Sequence, residues 1–245
     1  MNSGMYAALS GSMVGQERLE VLSNNLANVS TAGFKRDRLS FESVLGSVKK
    51  PSQGAGSLTD APVMSKVSFA TDHSAGSLKH TGNTLDLALD GDGFFVVNTP
   101  EGKAYTRQGN FHLDASGKLM TAGGNEVLAS GGPVTITGGT VVVDGKGGIF
   151  VDGNQVGTLD IVDFPKPYPL QKTGGVLFIP DGQEAVGQPT VNTIVKQGVI
   201  EESNVNPIWE MIQLIESNRY YESCAKVVQN FDNMAGKAAN ELGKL

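Results

Sequence analysis

The sequence predicts an α+β protein, with a mainly antiparallel β domain inserted between N- and C-terminal α-helices that form a coiled-coil-like unit. Three observations carry the prediction. Both ends space apolar residues in alternating steps of four and three, the interior is a succession of short apolar runs, and glycine, 32 of 245 residues, is concentrated in that interior. The first is the seam spacing of helices that pack on helices. The last supplies the positive φ of tight turns.

The N-terminal seam is Met5, Leu9, Ser12, Gln16, Leu19, Leu22, Leu26 and Val29. The pattern stops near Ser30-Thr31-Ala32-Gly33, where Gly33 can take the left-handed conformation that ends a helix. Residues 35–79 read as an extended linker with some strand, broken by Pro51, Gly54, Gly56, Pro62 and Gly76. From 80 to 202 the signature is strand and turn. Leu85-Asp86-Leu87-Ala88-Leu89 alternates with period two, Asp90-Gly91-Asp92-Gly93 turns, and Phe94-Phe95-Val96-Val97 is a buried strand. Asp-Gly pairs recur at 144–145, 152–153 and 181–182, and repeated hairpins explain them most economically. A final strand, Val191 to Ile200, leads into the C-terminal helix, which Asn206 caps and Pro207 opens. That helix, within 203–245, carries the second seam at Met211, Leu214, Asn218, Tyr221, Ala225, Val228, Asp232 and Ala235. Residues 1–34 supply its counterpart. The β domain, with its dense run of strands and turns, is expected to fold alone.

Composition excludes several classes. A net charge of -6 argues against nucleic acid, whose phosphates demand a dense field of Lys and Arg. The one basic cluster, Lys35, Arg36 and Arg38, is interrupted by Asp37 and reads as a solvated face. No stretch is long and apolar enough for a membrane span, and the N-terminus lacks the charged and apolar regions of a secretory signal. The single cysteine, Cys224, forms no intramolecular disulfide and reads as a small residue on a helix.

Candidate chemistry is thin. Gly91-Asp92-Gly93 follows a strand but leads into another strand and lacks a third glycine at dinucleotide spacing. Asp86, Asp90 and Asp92 lack the offsets of a calcium loop. His73, His80 and His112 are too few and scattered for a metal site. No Gly-x-Ser-x-Gly turn presents a nucleophile. The reading is therefore of a protein without catalytic, cofactor or metal sites. A binding β domain with helical ends is the remote alternative, and only 7% of residues are aromatic to build its stacking platform.

Ser23-Asn24-Asn25-Leu26-Ala27-Asn28-Val29-Ser30-Thr31-Ala32-Gly33-Phe34-Lys35 closely resembles the N-terminal signature of the bacterial flagellar axial proteins, the rod and hook group. Leu85–Val97 with its Gly93-Phe94-Phe95, Tyr105–Gly123 and Ser203-Asn204-Val205-Asn206 are similar to further motifs of that group, in the same order, so the resemblance spans nearly the whole chain. The modest length and the opening MNSGMYAALSGSM are most similar to the proximal-rod type, and distal-rod and hook-basal-body relatives share the same motifs. The resemblance implies a structural subunit of the basal-body rod, a drive-shaft that transmits torque. It implies export through the flagellar type III apparatus without a cleaved signal, assembly in the periplasm, and partners that are other copies and neighbouring rod proteins. It places the terminal helices in an inner coiled-coil layer, with Leu9, Leu19, Leu22, Leu26, Met211, Leu214, Tyr221 and Val228 as assembly residues. Isolated helices with incomplete seams are marginal in water, which fits ordering on assembly. Asn24, Asn25 and Asn28 are candidates for interhelical hydrogen bonds or for ending the helix.

Overall fold

A computed structural model of the chain describes residues 2–43, 65–130, 132–182, 187–190 and 193–242. The chain forms two compact units: Met1–Leu26 with Asp37–Asp72 and Ile208–Leu245, and Ala27–Arg36 with His73–Pro207. The breakers Pro51, Gly54, Gly56 and Pro62 lie outside the described residues.

The first unit holds α1 (Asn2–Ala27), α2 (Pro207–Leu242) and an antiparallel ribbon of β1 (Asp37–Ser43) and β2 (Ser65–Thr71), with Asp37 opposite Thr71. Part of the expected linker is thus a regular two-stranded ribbon. The helix ends at Ala27, short of the expected stop near Gly33. Asn28 to Thr31 instead close a turn, in which the Thr31 N–H donates to the Asn28 carbonyl at 3.1 Å and the Thr31 hydroxyl to the Asn28 side chain at 3.2 Å. Polar side chains that bond locally compete with helix in this way. At the other end, α2 does open on Pro207, where a missing N–H costs nothing.

The two helices run antiparallel along a seam of small α1 residues. A Cβ on Gly11 would lie 2.9 Å from the Tyr220 Oη and 3.1 Å from the Cys224 Sγ, so a larger residue there would push the Tyr220 and Cys224 side chains aside. Gly4 also faces α2, where a Cβ would lie 3.1 Å from the Phe231 ring, Gly15 lies at ordinary contact distance from Tyr221, and the Arg18 guanidinium donates to the Gln213 side chain.

The second unit is almost entirely β. In chain order its strands are β3 (Leu78–His80), β4 (Leu87–Asp90), β5 (Phe94–Thr99), β6 (Gly102–Thr106), β7 (Phe111–Leu113), β8 (Leu119–Thr121), β9 (Glu126–Ala129), β10 (Gly132–Pro133), β11 (Val141–Val143), β12 (Gly148–Val151), β13 (Asn154–Thr158), β14 (Ile161–Asp163), β15 (Leu170–Thr173), β16 (Leu177–Pro180), β17 (Gln188–Pro189), β18 (Ile194–Gln197) and β19 (Val199–Glu201). The main sheet runs β15-β16-β6-β5-β9-β8-β7, with β14 also on β5, and every pairing is antiparallel. β11-β12-β13 form a separate three-stranded sheet, and β4 and β3 pair with β18 and β19.

β5 shows how the sequence builds this core. Successive side chains point to opposite faces of a strand. Phe95 and Val97 enter the main core with Leu87, Phe111, Val127 and Ile149, while Phe94 joins an aromatic cluster with Phe164 and Phe178. The Phe94 and Phe178 centroids are 5.6 Å apart, in the edge-to-face range that aromatic pairs prefer. Burial on both faces is why four apolar residues follow one another here.

Three local expectations change. The period-two alternation in 85–89 does not carry into exposure, since Leu87, Ala88 and Leu89 are all buried in β4. β4 does not form a hairpin with β5 across Asp90–Gly93; its partner is β18. The expected strand from Val191 divides at Gly198 into β18 and β19, and 191–192 lie outside the described residues. Asp152-Gly153 is a tight hairpin turn between β12 and β13, both residues at positive φ (50° and 85°).

Candidate functional site

The motifs of the second unit converge on one buried charge cluster. Lys35 is fully buried, and its ammonium donates to Glu201 Oε1 at 2.5 Å and to the Ser74 carbonyl at 2.7 Å. The Arg107 guanidinium reaches the other Glu201 oxygen at 3.3 Å and donates to the Gly91 carbonyl at 2.8 Å. The Gly76 N–H donates to Glu201 Oε1 at 2.9 Å. One carboxylate therefore bridges two buried cations and a backbone N–H, so each member is held by charge-assisted bonds. This corrects the reading of the basic cluster as a solvated face. Arg38 is solvent-exposed and pairs with Asp72 at 2.5 Å, but Lys35 is interior.

Around the cluster the quoted motif residues pair with one another. Gly33 donates its N–H to the Glu201 carbonyl at 2.8 Å, Asn204 donates to the Phe34 carbonyl at 3.4 Å, and the Arg36 N–H donates to the Asn204 side chain at 2.8 Å. The Asn204 amide also donates to the Ser74 carbonyl at 3.2 Å, and Ser203 Oγ accepts the Val205 N–H at 3.3 Å. Phe34 is fully buried, with the Lys172 ammonium 3.7 Å from its ring centroid. Gly33 sits at φ +69°, and a Cβ there would lie 2.6 Å from the Gln108 Cα, so glycine is required twice over. Gly93, Phe94 and Phe95 serve the neighbouring core, and the Arg107 guanidinium lies 5.4 Å from the Phe94 ring.

In the helical unit, Asn25 is the pivot. Its side chain, 1% exposed, accepts the Asp37 N–H and donates to the Asp37 carbonyl, both at 2.9 Å, and donates to Glu210 of α2 at 3.4 Å. Asn25 thus makes an interhelical bond and a two-point backbone clamp, whereas Asn28 belongs to the turn after α1. Of the seam residues, Leu22 is buried, Leu19, Leu26, Leu214, Tyr221 and Val228 are half-buried, and Leu9 and Met211 are exposed.

Sequence reasoning passed over Arg107, Glu201 and Glu210. Arg107 lies within Tyr105–Gly123, and Glu201 and Glu210 lie two residues before and four residues after Ser203–Asn206, so proximity to the motifs was the available signal. The three carboxylates weighed for calcium have separate partners: Asp86 accepts from Thr81 and Asn83, Asp90 pairs with Lys196, and Asp92 with Lys166. His73 packs against Tyr168 and Phe178, while His80 and His112 lie on β3 and β7. Cys224 lies beside Tyr220 and Gly11. Among the described residues no helix is long and apolar enough to cross a membrane.

Folded β unit, helical ends and motif pairing define a structural protein whose two chain ends are brought together. Three family models match, in this order along the chain: "Flagella basal body rod protein" at 5–35, "Flagellar hook protein FlgE/F/G D1 domain" at 88–154, and "Flagellar basal body rod FlgEFG protein C-terminal" at 196–242. The chain is similar to the flagellar basal-body rod protein FlgF of Rhizobium meliloti (strain 1021), 34% identical over 248 residues and 99% of each chain. It is 33% identical over 248 residues to FlgF of Caulobacter vibrioides, covering 100% of both. With FlgG of Bacillus subtilis (strain 168) it is 32% identical over 268 residues, covering 98% of this chain and 99% of the relative. The chain belongs to the flagellar basal-body rod protein family, a family of structural, non-enzymatic proteins.

Proposed function

We propose that this chain is a proximal-rod subunit of the FlgF type that polymerises through its terminal helices into the shaft transmitting torque. One observation carries the polymerisation. Twelve of the seventeen large hydrophobic side chains that are exposed among the described residues lie on α1 or α2, which makes the helices, and not the β unit, the surface awaiting a partner. Patches of that kind mark interaction sites. In this reading α1 and α2 pair as a coiled-coil-like element. Leu9, Leu19, Leu22, Leu26, Met211, Leu214, Tyr221 and Val228 are its assembly residues, some within the subunit and some between subunits. Other copies and neighbouring rod proteins are the partners, reached after type III export, without signal cleavage, to the periplasm.

The FlgF type is favoured over FlgG by the alignments. Those with FlgF relatives span 248, 248 and 246 residues, close to the 245 of this chain, whereas those with FlgG relatives span 259 to 268. A FlgG-like reading therefore needs more gapped positions.

In a strain lacking the protein, Leu22→Asp or Leu214→Asp should fail to restore swimming, because a carboxylate at a seam position that is buried, or becomes so on assembly, costs several kcal/mol. Lys118→Ala, a surface change on β8's flank, should restore it. Swimming restored by both Asp variants would refute assembly through the helices. Electron cryotomography of the deletion strain separates the subtypes: loss of the membrane-proximal rod segment supports the proximal assignment, and a rod missing only its distal part overturns it.

A further inference from the structure

Each terminal helix packs one face on the other helix and turns a second, apolar face outward. Residues advance about 100° per position around a helix. Glu210, Leu214, Ser217, Tyr221, Cys224 and Val228 fall on one face of α2, and all of them are covered or half-covered. Ile208, Met211, Ile212 and Ile215 cluster about 150° away around the helix. They are 67%, 46%, 45% and 53% exposed.

α1 repeats the construction. Gly4, Gly11 and Gly15 lie against α2, and Met5, Tyr6, Leu9 and Met13 sit about 150° round from them. All four are exposed. Neither outer face carries an exposed charge: residues 2–16 contain no Asp, Glu, Lys or Arg, and the one charged residue in 208–215, Glu210, is 3% exposed on the inner face.

The antiparallel register then fixes where the outer faces lie. Gly4 is level with Phe231, Gly15 with Tyr221 and Asn25 with Glu210. The outer face of α1 is therefore level with the middle of α2, displaced about 20 Å along the axis from the outer face of α2 and on the opposite side of the pair. The two faces of one chain cannot meet. Those of two chains can, if the second is shifted along the helix axis, and such a head-to-tail contact does not close but repeats.

We propose that Ile208, Met211, Ile212 and Ile215 of one copy seat on Met5, Tyr6, Leu9 and Met13 of a second copy of this chain, staggered by about 20 Å along the helices. This rests on the rod-subunit reading and specifies its repeating contact. Leu9 then meets Ile212, and Met13 meets Ile208, across an antiparallel interface.

Cysteine cross-linking in isolated basal bodies tests the pairing, in a Cys224→Ser background. Leu9→Cys with Ile212→Cys in one chain should give a ladder of disulfide-linked multimers on oxidation. Either single variant should give none, and Leu9→Cys copies co-expressed with Ile212→Cys copies should stop at dimers. Met13→Cys with Ile208→Cys repeats the test at the other end of the patch. Dimers from a single variant would show like faces meeting like, and linkage to a protein of different sequence would show another occupant. No ladder from either pair would show that the faces do not meet. Each of these overturns the proposal while the chain is present in the basal body. Absence of the chain from basal bodies by immunoblot would instead defeat the rod reading on which the proposal rests.

Discussion

The two units place their charges and their apolar surface in opposite ways. The β unit keeps large apolar groups inside and, unusually, also an ion cluster, every member of which has a partner. The helical unit turns large apolar side chains outward and covers polar ones: Asn25, Ser217 and Glu210 are 1%, 2% and 3% exposed. A satisfied buried network specifies one arrangement. Apolar groups left in water favour whatever covers them. On the proposed assembly, this is the difference expected between a β unit complete as a fold and a helical unit completed by a neighbour.

Breaking the β unit should have the largest effect. Glu201→Leu removes the one carboxylate shared by Lys35 and Arg107 and strands two buried cations, a loss of about 3–5 kcal/mol. Urea unfolding followed by β-sheet circular dichroism measures it. Lys35→Met combined with Glu201→Leu should cost less than the sum of the single changes, since residues in one network couple. An additive result would show that the cluster contributes as separate contacts. The same reasoning bears on the unit's boundaries: a fragment of 80–200 lacks Lys35, Ser74 and Glu201, so it should unfold at lower urea than one that keeps 27–36 and 73–207.

That cluster marks the limit of what the sequence made legible. Helical ends, Gly-rich β interior and motif order followed from local periodicity and turn chemistry, because each is written within a dozen residues. Lys35 and Glu201 are 166 positions apart, and no local pattern tells a Lys beside Arg36 and Arg38 that it will be interior. β4 failed as half of a hairpin for a like reason: its partner β18 is about a hundred residues downstream. The outward apolar stripe of α2 was present in the sequence as Ile208, Met211, Ile212 and Ile215, but the four-three seam takes in only Met211 of these, and local spacing does not say which seam positions face the other helix and which face outward.

Within the helical unit the clamp is the sensitive point. Asn25→Ala leaves the Asp37 N–H and carbonyl without their side-chain partner, at about 1–3 kcal/mol. Hydrogen exchange should report faster opening at Asp37 while the β5 amides are unchanged. Equal acceleration at both would show that the two units open together. Ser217→Ala should go the other way. The Ser217 hydroxyl is covered and finds no hydrogen-bond partner among the described residues, so its removal should be neutral or stabilising by up to about 1 kcal/mol. A loss of that size would mean that the hydroxyl is bonded, for example through an ordered water.

The smallest effect is expected at the rim of the β unit. Asp92 and Lys166 meet at 2.7 Å, with both side chains more than half exposed. The Lys166 hydrogen bond, opposed by some burial and assisted by the ammonium charge, holds the Asp92 carboxyl below its usual value. A carboxylate whose folded pKa is depressed stabilises the fold above its unfolded pKa, and that contribution is lost as pH falls through the folded pKa. Exposure and salt keep the pair below about 1 kcal/mol. Lys166→Ala should therefore change stability little at neutral pH, while the Asp92 titration, followed by NMR of its carboxyl carbon, moves upward toward an ordinary aspartate. The difference in stability between variant and wild type should shrink as pH drops below the carboxylate range and as salt is raised. A difference that persists at low pH would mean that Lys166 acts through its packing on Tyr168, whose ring centroid lies 5.6 Å from the ammonium, and not through its charge on Asp92.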